Sequence, residues 1–180
     1  MGPRAQARPK EISPQDCSVI SQGVTFDTGM LVALERRKQS AWETFRRVRE
    51  RKARVTIPVA VIGEWWRGRT DLRVAICSAV HVEPMTDTIA RLAGEALAKV
   101  KRGTTIDAFV MSSAALRGDV VYTGDVEDLE RFGVFFPGVR VRSIEGGLGE
   151  RSEQTRGIAA ARAGDHVDAA EFIQGLLDNK

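Results

Sequence analysis

The sequence predicts an α/β fold, a three-layer α/β/α sandwich with a mostly parallel central sheet, and two observations carry that prediction. Short β-branched and apolar runs recur along the chain, and each is separated from the next by segments of helical spacing. Strands joined through helical crossovers pair in parallel. The composition, 43% hydrophobic and 28% charged over 180 residues, suits one globular domain with a short appendage. The longest uncharged apolar stretches, such as Val55 to Gly63, are far shorter than the roughly 20 residues a membrane span needs. Residues 1–22 contain no apolar run of the secretory type, so the expected compartment is the cytoplasm. Cys17 and Cys77 stand in unrelated contexts and are expected to be reduced thiols, not ligands or a disulfide.

Residues 1–22 mix Pro, Gln, Ser and charge without period and read as a disordered arm. Val24-Thr25-Phe26 is then a buried strand that ends on Asp27-Thr28-Gly29, and helical spacing follows from Met30 to Arg37. Ser40 and Glu43 form a capping-box pattern ahead of a helix whose apolar stripe is Trp42, Phe45 and Val48. Arg54 to Ile57 is the second strand, and Pro58 is suited to the first position of the next helix, which carries Val59, Ile62, Trp65 and Trp66 with Glu64 on its flank. Asp71 to Ala79 reads as helix and Val80 to Glu83 as the third strand. Thr86 caps a helix that Gly103 stops. Thr104 opens a further helix, Ile106 to Leu116, ended by Gly118. Val120-Val121-Tyr122 is the fourth strand, running into Thr123-Gly124-Asp125, and Val139 to Val141 closes the unit after a short helix.

Charge is unevenly placed. Residues 35–54 hold nine Lys or Arg against three Glu, and Arg46, Arg47, Arg49, Arg51 and Lys52 among them are candidates for contacting a phosphate backbone. From Glu145 onward the balance reverses, with seven acids against four bases.

Ligands of open parallel sheets bind beyond the carboxyl ends of the strands. Four acids sit where strands and helices meet: Asp27, Glu64, Asp107 and Asp125. Each also has a purely local reading, strongest for Asp107, because Thr104 to Asp107 is itself a capping pattern. Carboxylates gathered at close range are rationalised by a divalent cation, and Mg²⁺ and Mn²⁺ take such hard oxygen ligands.

Phe26-Asp27-Thr28-Gly29-Met30-Leu31, the run Pro58 to Glu64, Thr105-Ile106-Asp107-Ala108 and Val121-Tyr122-Thr123-Gly124-Asp125 together resemble the four signatures of PIN-domain ribonucleases, and among these the VapC-type toxins of bacterial toxin-antitoxin pairs. The likeness runs from about Val24 to Ile144. It implies a PIN-like nuclease domain over residues 23–144 that hydrolyses RNA with water activated at Mg²⁺ or Mn²⁺. On this likeness Asp27, Glu64, Asp107 and Asp125 are the catalytic, metal-binding acids, and Thr28, Thr123 and Asp128 are their polar support. The expected partners are an RNA substrate, a cognate antitoxin or the chain's own tail, and a second copy of the chain. No membrane is involved.

The arm before the first strand and the segment 145–180 depart from that pattern. Glu145-Gly146-Gly147-Leu148-Gly149 has the glycine content of a linker, and Thr155 to Ala163 and the capping box Asp168 to Glu171 announce two short helices. The run Ala161 to Phe172 is similar to the C-terminal segments of some small antitoxins. Two other readings stand beside the nuclease. One is a catalytically inactive PIN-like module that binds RNA or protein. The other is a phosphatase of the haloacid dehalogenase type, which needs a second Asp two positions after its nucleophile, where this chain has Gly29.

Overall fold

The computed structural model describes residues 22–145. The arm before Gln22, and the linker, short helices and antitoxin-like run after Glu145, lie outside the described residues. Strand β1 (Val24–Phe26) is buried throughout and ends at Asp27, whose Oδ1 accepts the Met30 amide at 2.7 Å and so caps helix α1 (Thr28–Glu35). Strand end and helix start are thus joined through one acid. α1 closes with Lys38 N–H on Ala33 O and Arg37 N–H on Leu34 O, the paired bonds that a left-handed residue allows, and Arg37 supplies it at φ 56°.

That tight exit corrects the reading of the next helix. α2 (Gln39–Glu50) starts one residue before Ser40, with Lys38 at its N-cap and no side-chain cap; the Ser40–Glu43 capping box does not form. Glu43 instead accepts Gln39 Nε2 at 2.9 Å. β2 (Val55–Pro58) includes the proline, which pairs with Glu83 and stands just outside α3 (Val59–Trp65) rather than at its first position. α4 (Asp71–Ser78) and α5 (Asp87–Val100) carry the threonine caps Thr70 and Thr86. Between them runs β3 (His81–Glu83). Left-handed Lys101 ends α5, two residues ahead of Gly103, whose own φ of 144° suits only glycine and whose missing Cβ leaves room for the Phe132 ring. α6 (Thr105–Arg117) has the expected Thr104–Asp107 capping box and ends at left-handed Gly118. β4 (Val120–Thr123), α7 (Val126–Glu130), a 3₁₀ turn (Arg131–Val134) and β5 (Arg140–Ser143) complete the unit.

The five strands are all parallel in the order β3-β2-β1-β4-β5. Right-handed crossovers place α1 to α4 on one face and α5 to α7 on the other. Alternate side chains confirm the layering. Phe26 meets Phe45 of α2 and Tyr122 of β4 edge-on, at 5.9 and 6.2 Å, whereas Thr25 turns to the other face and bonds Asp119 at 2.9 Å. Phe26, Phe45, Leu31, Leu34, Ile57, Met111 and Phe132 are fully buried, each contributing roughly 1.5–3 kcal/mol.

The α6 face holds a polar layer as well. Arg117 reaches Glu83, Asp119, Thr25 and Ser113 together, tying the end of α6 to three strands or strand ends. The chain leaves β1 toward β2 and returns from β3 to β4 on the other side of β1. A crevice therefore opens at the carboxyl ends of β1 and β4.

Candidate active site

Asp27 and Thr123 follow the paired residues Phe26 and Tyr122, so adjacent parallel strands deliver them side by side on the α6 face. Thr123 Oγ1 donates to Asp27 Oδ2 at 2.6 Å and accepts the Asp125 amide at 2.8 Å, which links the first and last of the four acids through one hydroxyl. The close approach depends on two glycines. A Cβ at Gly29 would lie 3.0 Å from Gly124 N and 3.2 Å from Asp27 Oδ2.

Burial pushes the Asp27 carboxyl up to about 6. Hydrogen bonds from Thr123 and from the Met30 and Gly29 amides oppose that rise, and the charge of Asp107 adds to it. Asp107 stands at the start of α6, where its Oδ2 accepts the Thr104 amide at 3.1 Å. Capping and facing Asp27 are therefore compatible roles for the one residue.

Glu64 is exposed on α3, and its Oε2 accepts the hydroxyl of Thr28. This bond joins α3 to the first turn of α1. Asp125 is exposed and caps α7 by accepting the Asp128 amide at 3.3 Å, while Asp128 itself pairs with Arg131 at 2.6 Å. The structure thus joins Asp27, Thr123 and Asp125 by hydrogen bonds, sets Asp107 within electrostatic reach, and pairs Glu64 with Thr28. Among the described residues no three His, Cys, Asp or Glu side chains form a group that could hold a metal ion. The donors nevertheless fit Mg²⁺ or Mn²⁺ in kind. They are hard carboxylate oxygens, one of them on a buried group burdened by a neighbouring charge, and Mg²⁺ commonly takes only one or two carboxylates and keeps its waters.

The basic segment is not gathered at these acids. Arg46 and Arg47 face Glu50 and Glu43 along α2 at 3.8 Å, and Arg49 donates to Ala79 O at 3.0 Å. Arg51 and Lys52 end α2 next to the loop whose Arg54 carbonyl accepts the Val24 amide, at the amino-terminal edge of the sheet. The sequence reading missed the Arg117 cluster and the Gly29–Gly124 approach. The acids at Glu83 and Asp119, beside strand ends, were the available signal for the cluster.

A model of the PIN domain family matches residues 24–134. No curated protein matches the sequence. Three solved structures are similar in fold. VapBC2 from Rickettsia felis bound to a DNA fragment from its promoter has 12% identity and a TM-score of 0.56, over 67% of this chain and 97% of that one. A toxin-antitoxin complex from Klebsiella pneumoniae has 19% identity and a TM-score of 0.53, over 65% and 95%. FitAB bound to an IR36 DNA fragment has 13% identity and a TM-score of 0.55, over 72% and 99%. With the family model spanning most of the folded residues, this chain belongs to the PIN domain family.

Proposed function

We propose that the protein is a metal-dependent endoribonuclease and the toxin of a toxin-antitoxin pair, acting in the cytoplasm and restrained by an antitoxin. The observation that carries this reading is the buried carboxyl of Asp27, raised to about 6 and burdened by Asp107, in the crevice of a PIN-family sheet. The described residues contain no helix long and apolar enough to cross a membrane. The similar structures are themselves toxin-antitoxin assemblies, which supports an antitoxin as partner.

Asp27 and Asp107 would hold Mg²⁺ or Mn²⁺, with Asp125 and Glu64 at the rim. A cation held there would supply positive charge for the scissile phosphate and would lower the pKa of a water beside it. Thr123 keeps Asp27 aimed by donating to Oδ2, which leaves further oxygen lone pairs free, and the Met30 amide fixes the other oxygen. Glu64, steadied by the Thr28 hydroxyl, is an exposed carboxylate available to accept a proton from water. The phosphorus is attacked opposite the departing 3′ oxygen.

The test is cleavage of single-stranded RNA by the full chain with Mg²⁺ or Mn²⁺, with EDTA, and by Asp27→Asn and Asp107→Asn. Cleavage is expected with either metal and lost in the other three cases. Equal cleavage by both variants, purified free of contaminating nuclease, overturns the assignment.

A further inference from the structure

Topology leaves β5 without a crossover on the α1–α2 face, because the β4–β5 connection passes through α7 on the other side. That bare strip is basic rather than apolar. Strand alternation turns Arg140 and Arg142 to the same side as their partners Val120 and Tyr122. The end of α2 brings Arg51. These three arginines, with Tyr122 and Gln22, line a groove of about 300 Å³ over an apolar floor, and no acidic side chain among the described residues lines it.

Another groove among the described residues is different in kind. It runs beside α1 and α3, and there Glu35 and Glu64 stand among Arg36, Arg67 and Arg73, with Arg73 held by Glu35 at 2.7 Å. In the β5 groove no carboxylate among the described residues cancels the positive charge. Arg140 donates to the neutral side chain of Gln22, and neither Arg51 nor Arg142 makes a side-chain hydrogen bond or ion pair among the described residues. Tyr122 reports the convergence. Burial pushes its phenol up, and the charges of Arg142, Arg51 and Arg140 all act to pull it down. Guanidinium forks around a phenol are suited to phosphate oxygens. Arg140 and Arg142 stand about 6.6 Å apart along the strand, which suits a chain of phosphates better than one small ion.

The structure assigns this groove as a binding site for backbone phosphates of RNA, remote from the bond that is cut; the assignment rests on the nuclease reading above. Val24, on the floor, is three residues from Asp27, about 10 Å along β1, but the two side chains point to opposite faces, so an RNA that engages both groove and crevice passes around the sheet.

The experiment measures binding of a labelled single-stranded RNA of about 20 nucleotides, a length chosen to exceed the sheet, over a range of salt in EDTA. For Arg51→Gln/Arg142→Gln in the full chain, the slope of log K against log salt should be flatter than wild type by about 1.4, at roughly 0.7 for each lost contact. The pair Arg91→Gln/Lys99→Gln, on α5 across the sheet, should leave the slope unchanged. An unaltered slope in the groove variant overturns the proposal, and so does an equal change in both variants, which would mark overall charge alone. If the groove variant melts early, Arg51→Lys/Arg142→Lys is the second measure. It keeps the charges and should keep the slope, and a slope lost in this variant also overturns the proposal. Binding is read without turnover, so the two readings fail separately. Metal-dependent cleavage with an unaltered slope defeats the groove alone, and a flattened slope without cleavage defeats the nuclease alone.

Discussion

Asp27 holds three jobs on one side chain: it ends β1, caps α1 and faces Asp107. Its carboxyl is raised to about 6 from an ordinary 3.8, so the folded state prefers it protonated. For a raised acid the cost to folding is absent below the unfolded value, grows as pH rises from about 4 to 6, and is complete above that. The cost approaches 3 kcal/mol for a shift of about two units. Asp27→Asn should remove it without losing the cap, because an amide oxygen still accepts the Met30 amide and the Thr123 hydroxyl can turn to Asp125 O at 3.1 Å. Thermal melts in EDTA at pH 7.5 should therefore rise by several degrees in the variant, and the wild-type loss of stability between pH 4 and 6 should flatten. A variant that melts lower at pH 7.5 would show that burial of Asp27 is already compensated. Gly29→Ala tests the opposite sign. Its Cβ would crowd Gly124 N at 3.0 Å, and about 1–3 kcal/mol of stability should go, together with cleavage, as the β4–α7 turn is pushed away.

Helix ends set where each element stops, and three of them use a basic residue where glycine is usual. Arg37, Lys52 and Lys101 occupy the left-handed region, at φ 56°, 53° and 58°, at the exits of α1, α2 and α5. A side chain there costs about 1 kcal/mol relative to glycine. Arg37→Gly is expected to stabilise by roughly 0.5 kcal/mol once the added freedom of the unfolded chain is set against it. Urea midpoints would decide the sign. At the far end of α6, Arg117 has the reverse significance. Arg117→Met leaves Glu83 and Asp119 without their cation and should cost about 3 kcal/mol, with no specific effect on RNA binding at the β5 groove. A loss under 1 kcal/mol in denaturant melts would mean that the two acids find water instead.

Across the whole molecule, basic residues are concentrated in 35–54 and acidic ones from Glu145 to the end. Asp27 and the arginines of β5 lie on opposite faces of one sheet. That separation would let a polyanion be held without the arginines neutralising the carboxylates proposed to hold metal. The segment after Glu145 joins an acidic balance to an antitoxin-like run, so removal of residues 146–180 is expected to raise RNA cleavage. The gain should narrow as Mg²⁺ is raised, on the expectation that Arg156 or Arg162 competes for the crevice acids. Equal rates for both forms at every Mg²⁺ concentration would leave the tail without a restraining role.

Local chemistry was enough to read much of this chain. The runs Val24 to Phe26 and Val120 to Tyr122 announce strands, Thr86 and Thr104 announce helix starts, and the order of four acid-bearing motifs announces the family, because caps and apolar runs act over a few neighbouring residues. The same locality explains what misled. Ser40 and Glu43 satisfy a capping pattern, but the exit of α1 through Arg37 starts α2 a residue earlier, a decision made by backbone geometry upstream. Only the tertiary structure could bring Thr123 to Asp27, Gly124 to Gly29 and Thr28 to Glu64, since those pairs lie 36 or more residues apart and depend on strand order. Strand order likewise drew the basic end of α2 away from the acids and placed Arg51 beside Arg140 and Arg142. Sequence spacing carries no information about which end of a sheet a helix returns to until the crossovers are in place.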